Sequence, residues 1–268
     1  MRPYAEVIGD PIAHSKSPAI HSFWLNKLAI DGRYGASLVA PEALADFIAE
    51  RRHEESWRGC NVTLPHKIAV LDLVDDPGAV RDSIGAMNTL LRQPDGTIIG
   101  TNTDAAGFFA PIADMALEGA DVVVVGTGGA AHAVLFALAR AKVGYVTLMT
   151  RSPLKGAALL ARFGLRGAVS GLGTALPPAA LIVNASSLGM TGQPPLLLDL
   201  SPLPDDAVVY DLVYAPLDTA LLASADARGL AVVDGIEMLI GQAAVAFELF
   251  FGRPAPREHD DVLRRLIT

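Results

Sequence analysis

Val122-Val123-Val124-Val125-Gly126-Thr127-Gly128-Gly129-Ala130-Ala131 is the stretch that decides the fold. Four consecutive valines lack the alternation of a half-buried strand, so they read as a parallel strand covered on both faces. The glycines end that strand, and the alanine-rich residues after them continue as a helix to about Ala141. Strand, glycine turn and helix in this order make G-x-G-x-x-A, which sets a dinucleotide pyrophosphate on a helix N-terminus. Gly126 permits the tight turn, Gly128 lets the backbone approach the phosphates, and Ala131 is small enough for close helix–strand packing. Thr127, Gly129 and Ala130 complete the turn. The motif alone is a weak signal, and it gains its weight from the strand before it and the helix after it.

The next strand, Tyr145–Met149, indicates which dinucleotide. An NAD site usually carries an acid just past this strand, for the ribose 2′-hydroxyl. Here the chain reads Thr150-Arg151-Ser152-Pro153-Leu154-Lys155, with no acid. Arg151 and Lys155 can hold a 2′-phosphate, and Ser152 can donate to it. A helix start does not favour cations, so a bound anion accounts for them better than a solvated helix turn does. The expected cofactor is NADP.

Apolar runs alternate with helical patterns through most of the chain, which indicates an α/β fold with mostly parallel sheets. The first part reads as strand Tyr4–Ile8, a helix capped by Ser17 with Pro18 at its first position, strand Tyr34–Val39, and helix Pro41–Glu50. Strand Gly59–Val62 follows, leading to a helix from near Leu64–Pro65. Thr89–Arg92 and Ile98–Gly100 flank a hairpin turn at Pro94-Asp95-Gly96. From helix Asp104–Met115 onward the pattern is that of a doubly wound sheet, with further strands Leu181–Asn184, Val208–Leu212 and Leu230–Val233. Helices at about Glu237–Phe250 and Asp260–Ile267 come too late for that sheet and are assigned back to the first domain. The expected division is a discontinuous α/β substrate domain, 1–103 with 236–268, and a Rossmann-type dinucleotide-binding domain, 104–235.

Bulk properties narrow the function. A chain of 268 residues, 51% hydrophobic and 19% charged, can bury a substantial core. A net charge of −8 argues against nucleic-acid partners and against an anionic membrane surface. The late apolar stretch is interrupted by Gln242 and Glu248, short of a membrane span, and the N-terminus lacks an apolar signal core. One cysteine, Cys60, excludes an internal disulfide. The expected setting is cytoplasmic, the expected partner a small molecule, and the assembly a monomer or homodimer. The six histidines show no metal spacing, so no metal is expected.

Three polar constellations remain. In Gly9-Asp10-Pro11-Ile12-Ala13-His14-Ser15-Lys16-Ser17-Pro18, two serines before a helix can hold a carboxylate through hydroxyls and N–H groups. Asn61-Val62-Thr63-Leu64-Pro65-His66-Lys67 stands at the C-terminal end of a strand, where open α/β sheets bind ligands. Ile84-Gly85-Ala86-Met87-Asn88-Thr89 joins Gly100-Thr101-Asn102-Thr103-Asp104 as the third. Together with Gly126–Ala131, Asn184–Met190, Asp211–Tyr214 with Pro216 and Thr219, and Gly235–Phe247, these ordered motifs resemble the shikimate dehydrogenase family along nearly the whole chain.

The resemblance implies reversible reduction of 3-dehydroshikimate to shikimate with NADPH. It implies that Ser15 and Ser17 hold the substrate carboxylate, and that Thr63, Asn88, Tyr214 and Gln242 bind the ring hydroxyls and neighbouring groups. Lys67 and Asp104 would form the acid/base pair, and Asn184, Leu212 and Gly235 would line the nicotinamide end of the cofactor site. Relatives acting on quinate or another hydroxylated cyclohexane acid share most of these motifs, as would a non-catalytic dinucleotide-binding module. The chain departs from the family's habit at Thr150, often Asn, at Lys155, often Arg, and at Ala79, often acidic. Lysine lacks the planar fork of arginine, which softens the expected preference for NADP. His66 is expected to position other groups, and Cys60 to be a small packed residue.

Overall fold

The computed structural model describes residues 2–268. In chain order the elements are β1 (Tyr4–Gly9), α1 (Ser17–Lys27), β2 (Arg33–Leu38), α2 (Leu44–Arg51), β3 (Trp57–Val62), α3 (Val80–Ser83), β4 (Thr89–Arg92), β5 (Ile98–Thr101) and α4 (Asp104–Phe109). Then follow β6 (Asp121–Val125), α5 (Gly129–Arg140), β7 (Tyr145–Met149), α6 (Pro153–Arg162), β8 (Gly167–Ser170), β9 (Leu181–Asn184), β10 (Val208–Asp211), α7 (Ala220–Ala227), β11 (Ala231–Val233), α8 (Gly235–Phe251) and α9 (Asp260–Ile267). The chain forms two compact units. One runs to Gly107 and resumes at Leu239, and the other is Phe108–Met238.

The first unit holds a five-stranded sheet in the order β2-β1-β3-β4-β5. β1 pairs in parallel with β2 and β3, while β4 and β5 form an antiparallel hairpin on β3. The strand order reverses direction at β1, so the loops after β1 and β3 emerge side by side at a topological switch point. Their approach is close: a Cβ on Gly9 would lie 2.5 Å from Thr63 Cγ2 and 2.8 Å from the Leu64 carbonyl oxygen. The Asp10 N–H donates to that carbonyl at 2.9 Å. Ile8, Ile20, Trp24, Trp57, Leu90 and Phe247 are fully or almost fully buried in this unit's core. A fully buried histidine, His21, lies flat on Tyr34 with ring centres 3.9 Å apart.

The second unit is a six-stranded parallel sheet in the order β11-β10-β9-β6-β7-β8. Counted within the unit this is 6-5-4-1-2-3, the doubly wound order, with its switch point between β6 and β9. Both faces are covered. Val122 and Val124 join Leu135, Leu138 and Leu181 on one side, and Val123 and Val125 join Ile182, Val209 and Leu221 on the other.

Four local expectations change. Ser17 is the first helical residue and not the cap; Lys16 takes the cap position, and Ser15 Oγ accepts the Ser17 N–H at 3.3 Å. The helix expected from Leu64–Pro65 is a run of turns ending in a 3₁₀ turn, Ala69–Asp72. The Lys67 carbonyl accepts the Met87 N–H at 2.8 Å, a long-range bond in place of a helical one. Helix Pro41–Glu50 begins as a 3₁₀ turn, Pro41–Ala43, and helix Asp104–Met115 is short, giving way to a 3₁₀ turn at Ala110–Ile112 around Pro111. Strand β8 has no counterpart in the sequence reading: it is a four-residue edge strand of small, largely exposed residues.

Candidate active site

In the first unit two of the expected polar residues, Lys67 and Asn88, converge on the Asp104 carboxylate, with Gln242 against Asn88. Lys67 Nζ lies 2.5 Å from Asp104 Oδ2, and the two side chains are 14% and 5% exposed. Asp104 opens α4, where the helix dipole favours a negative charge. Its other oxygen accepts the Asn88 amide at 2.8 Å. Asn88 Nδ2 also donates to Thr103 Oγ1 at 2.9 Å, and its Oδ1 accepts the Thr103 N–H at 2.7 Å. Gln242, carried on α8, places Oε1 3.4 Å from Asn88 Nδ2 and anchors its own amide on the Leu239 carbonyl at 2.9 Å.

A second layer fixes this cluster. Asn61 donates to the Asn88 carbonyl at 3.3 Å and to Thr89 Oγ1 at 3.1 Å, and accepts from Tyr34 at 2.6 Å. Asn102 donates to the Ala86 carbonyl and accepts the Ala105 N–H, which holds the start of α4. Buried His66 places Nε2 2.7 Å from the Val39 carbonyl, a positioning contact. Sequence pattern alone assigns Asn61 and Thr103 no role of their own, although both stand inside the quoted motifs. Cys60 is fully buried and burial pushes its thiol well above the ordinary value, which excludes it as a nucleophile.

The serine loop closes the other side of the β1–β3 switch point. Ser17 is buried and Ser15 half-buried at the start of α1. The Lys16 ammonium between them reaches the Ile267 carbonyl at the end of α9, where helix carbonyls lack partners. Thr63 is half-buried against Gly9.

In the second unit Gly126 has φ 111°. A Cβ there would lie 2.9 Å from the Ala185 carbonyl across the switch point, so only glycine fits. Gly128 faces open space at the head of α5, where N–H groups stand unpaired. Gly129 is buried as the first residue of α5, with Thr127 and Ala130 half-buried on either side. Past β7, Thr150 is buried and its hydroxyl accepts the Ser152 N–H at 3.0 Å. Arg151 and Lys155 are exposed, with no carboxylate partner among the described residues. Unpaired cations, free helix N–H groups and a cradle too narrow for a Cβ fit a dinucleotide carrying a 2′-phosphate.

Beyond β9 and β10 the expected residues behave differently. Asn184 is fully buried, and all of its amide groups have internal partners. It donates to the Leu188 carbonyl at 2.9 Å and to Asp211 Oδ1 at 2.8 Å, and accepts from Ser186 N and Oγ at 3.1 and 2.7 Å. Its side chain therefore positions the loop, and a ligand contact here falls to the backbone. A Cβ on Gly235 would lie 2.5 Å from the Leu212 carbonyl. Tyr214 is half-buried, and burial pushes its phenol up. No group of three or more His, Cys, Asp or Glu side chains able to hold a metal occurs among the described residues.

Comparison with known proteins agrees with this layout. Residues 7–90 match the family model for the shikimate dehydrogenase substrate binding domain, and residues 235–259 match that for the shikimate 5'-dehydrogenase C-terminal domain. The chain is 68% identical to the NADP(+) shikimate dehydrogenase of Sphingopyxis alaskensis, over 99% of this chain and 97% of the relative. It is 46% identical to the enzyme of the same name from Methylobacterium radiotolerans, over 99% and 97%. The crystal structure of shikimate 5-dehydrogenase from Thermus thermophilus, in complex with NADP(H) and shikimate, superposes with a TM-score of 0.87 at 37% identity, covering 99% of this chain and all of that one. With a relative this similar along nearly its whole length, the chain belongs to the shikimate dehydrogenase family.

Proposed function

We propose that the protein catalyses the reversible, NADPH-dependent reduction of 3-dehydroshikimate to shikimate. The observation that carries this reading is the Lys67–Asp104 pair, a 2.5 Å contact of two largely buried side chains at the ligand-binding edge of the first unit's sheet. NADPH supplies the hydride. Gly126, Thr127, Gly128, Gly129 and Ala130 would hold its pyrophosphate, and Arg151, Lys155, Ser152 and Thr150 its 2′-phosphate ribose. Leu212 and Gly235 would border its nicotinamide through their backbone.

The substrate ketone gains negative charge on oxygen as it is reduced and needs a proton. Lys67 Nζ donates it and takes it back in the oxidation direction. Asp104 holds the ammonium in place, Asn88 holds Asp104 and Gln242 braces Asn88, and the two amides face the ring hydroxyls in this reading. Ser15 and Ser17 take the carboxylate. In this reading the substrate domain is the first unit and the NADP domain the second. The boundaries proposed from the sequence, at 103 and 235, lie three or four residues from those of the compact units.

Among the described residues no helix is long and apolar enough to cross a membrane. A cytoplasmic enzyme, monomeric or homodimeric, acting on small molecules without nucleic-acid or membrane partners, is consistent with this and with the acidic composition. Steady-state kinetics with shikimate and quinate, each with NADP and NAD, test the assignment. The expected result is the highest kcat/KM for shikimate with NADP. A higher value for quinate would move the protein to the quinate-acting branch.

A further inference from the structure

Asp211 is the most deeply buried carboxylate in the second unit, fully shielded at the C-terminal end of β10. It accepts three hydrogen bonds: Asn184 Nδ2 at 2.8 Å and Val213 N at 3.0 Å on one oxygen, and Thr219 Oγ1 at 2.7 Å on the other. Among the described residues no cation pairs with it. Such a charge is costly to bury, and the three donors are what make it tolerable.

The donors come from three segments. Asn184 ends β9 and, through Ser186 and Leu188, shapes the loop after it. Val213 is two residues past Asp211 in an Asx turn that carries the chain out of β10. Thr219 caps α7, accepting the Leu222 N–H at 3.2 Å. One carboxylate thus fixes both strand-end loops on the β9–β10 side of the switch point, the side opposite the basic residues after β7. Gly235 clamps the same segment, since a Cβ there would lie 2.5 and 2.6 Å from the Leu212 and Val213 carbonyls.

We infer that Asp211 is a positioning residue for hydride transfer: it holds the Leu212–Val213 backbone and the loop after Asn184 in the course that borders the nicotinamide, without touching the cofactor itself. This rests on the reading of the second unit as the NADP domain. A dinucleotide sheet binds its two mononucleotides over its two halves. Disturbing Asp211 should therefore loosen the nicotinamide half and leave the adenosine half alone, a separation that a purely structural role would not produce.

The test compares Asp211→Asn and the milder Thr219→Val with the parent enzyme, and uses 2′,5′-ADP as a probe of the adenosine half. For Asp211→Asn the expected result is a fall in kcat of about tenfold or more, with 2′,5′-ADP affinity within about twofold of the parent. Thr219→Val should lower kcat about threefold with the same unchanged affinity, and Thr219→Ser should restore it. Parent-like kcat in Asp211→Asn, or a parallel loss of kcat and 2′,5′-ADP affinity in Thr219→Val, would overturn the inference. Should Asp211→Asn fail to fold, the Thr219 pair decides alone. Arg151→Ala separates the underlying reading: if it leaves 2′,5′-ADP binding intact, the placing of the 2′-phosphate at the residues after β7 is wrong.

Discussion

Asp104 and Asp211 are both buried carboxylates at or just past the C-terminal ends of strands, Asp104 after antiparallel β5 and Asp211 on parallel β10, yet their surroundings differ in kind. Asp104 has an ammonium at 2.5 Å and one amide donor. Asp211 has three neutral donors, and burial pushes its carboxyl up against the lowering effect of those bonds. A carboxylate beside a movable proton carrier suits chemistry, because the pair can exchange a proton with a third group. One ringed by neutral donors with backbone and loop partners suits architecture. The residue type is the same in the two places, and its partners divide the labour.

The largest effect expected from this contrast is in the first unit. Asp104→Asn keeps the shape but removes the charge that orients Lys67, and kcat should fall about a thousandfold, roughly 4 kcal/mol of barrier. Binding of 2′,5′-ADP should not change. A fall of less than tenfold would make Asp104 architectural after all. Next is the basic end of the second unit. Arg151→Ala should reduce kcat/KM for NADP about ten- to a hundredfold and narrow the preference over NAD, because a charge-assisted contact is lost. An unchanged NADP/NAD ratio would count against that contact.

The smallest effect concerns stability and a third buried group. His21 is enclosed by Tyr34, Trp24, Phe247 and Phe250, and burial pushes its pKa down to about 3 from 6.5. Above pH 6.5 the ring is neutral whether folded or unfolded, and no penalty arises. As pH falls from 6.5 toward 3 the unfolded chain takes up a proton that the fold resists, and stability drains at up to about 1.4 kcal/mol per pH unit. Urea midpoints for the parent and His21→Phe should keep a constant offset above pH 7. The variant should gain about 2 kcal/mol relative to the parent by pH 5. An offset that does not vary with pH would mean that the histidine takes up its proton as readily inside the fold as in the unfolded chain.

What the sequence revealed follows the range of the interactions involved. Val122–Val125 and the glycines after it are legible because strand burial and turn geometry are written in adjacent residues. The Lys67 segment misled because its carbonyl is taken by Met87, twenty residues on, and local pattern reads Leu64–Pro65 as a helix start. Edge strand β8 offered no apolar signal, since its residues are small and half in water. Lys67 and Asp104 could be paired only through family resemblance, because 37 positions separate them. Asp211 stood in a quoted motif, but its meaning lies in Asn184 and Thr219, which no spacing rule connects to it.

In the proposed reaction the Lys67 ammonium moves the proton. Turnover and shikimate binding of Lys67→Ala, measured side by side near neutral pH, decide whether it does. The predicted outcome is a kcat lower by about three orders of magnitude, with shikimate still bound within severalfold of the parent affinity. Parent-like turnover in that variant would contradict the assignment.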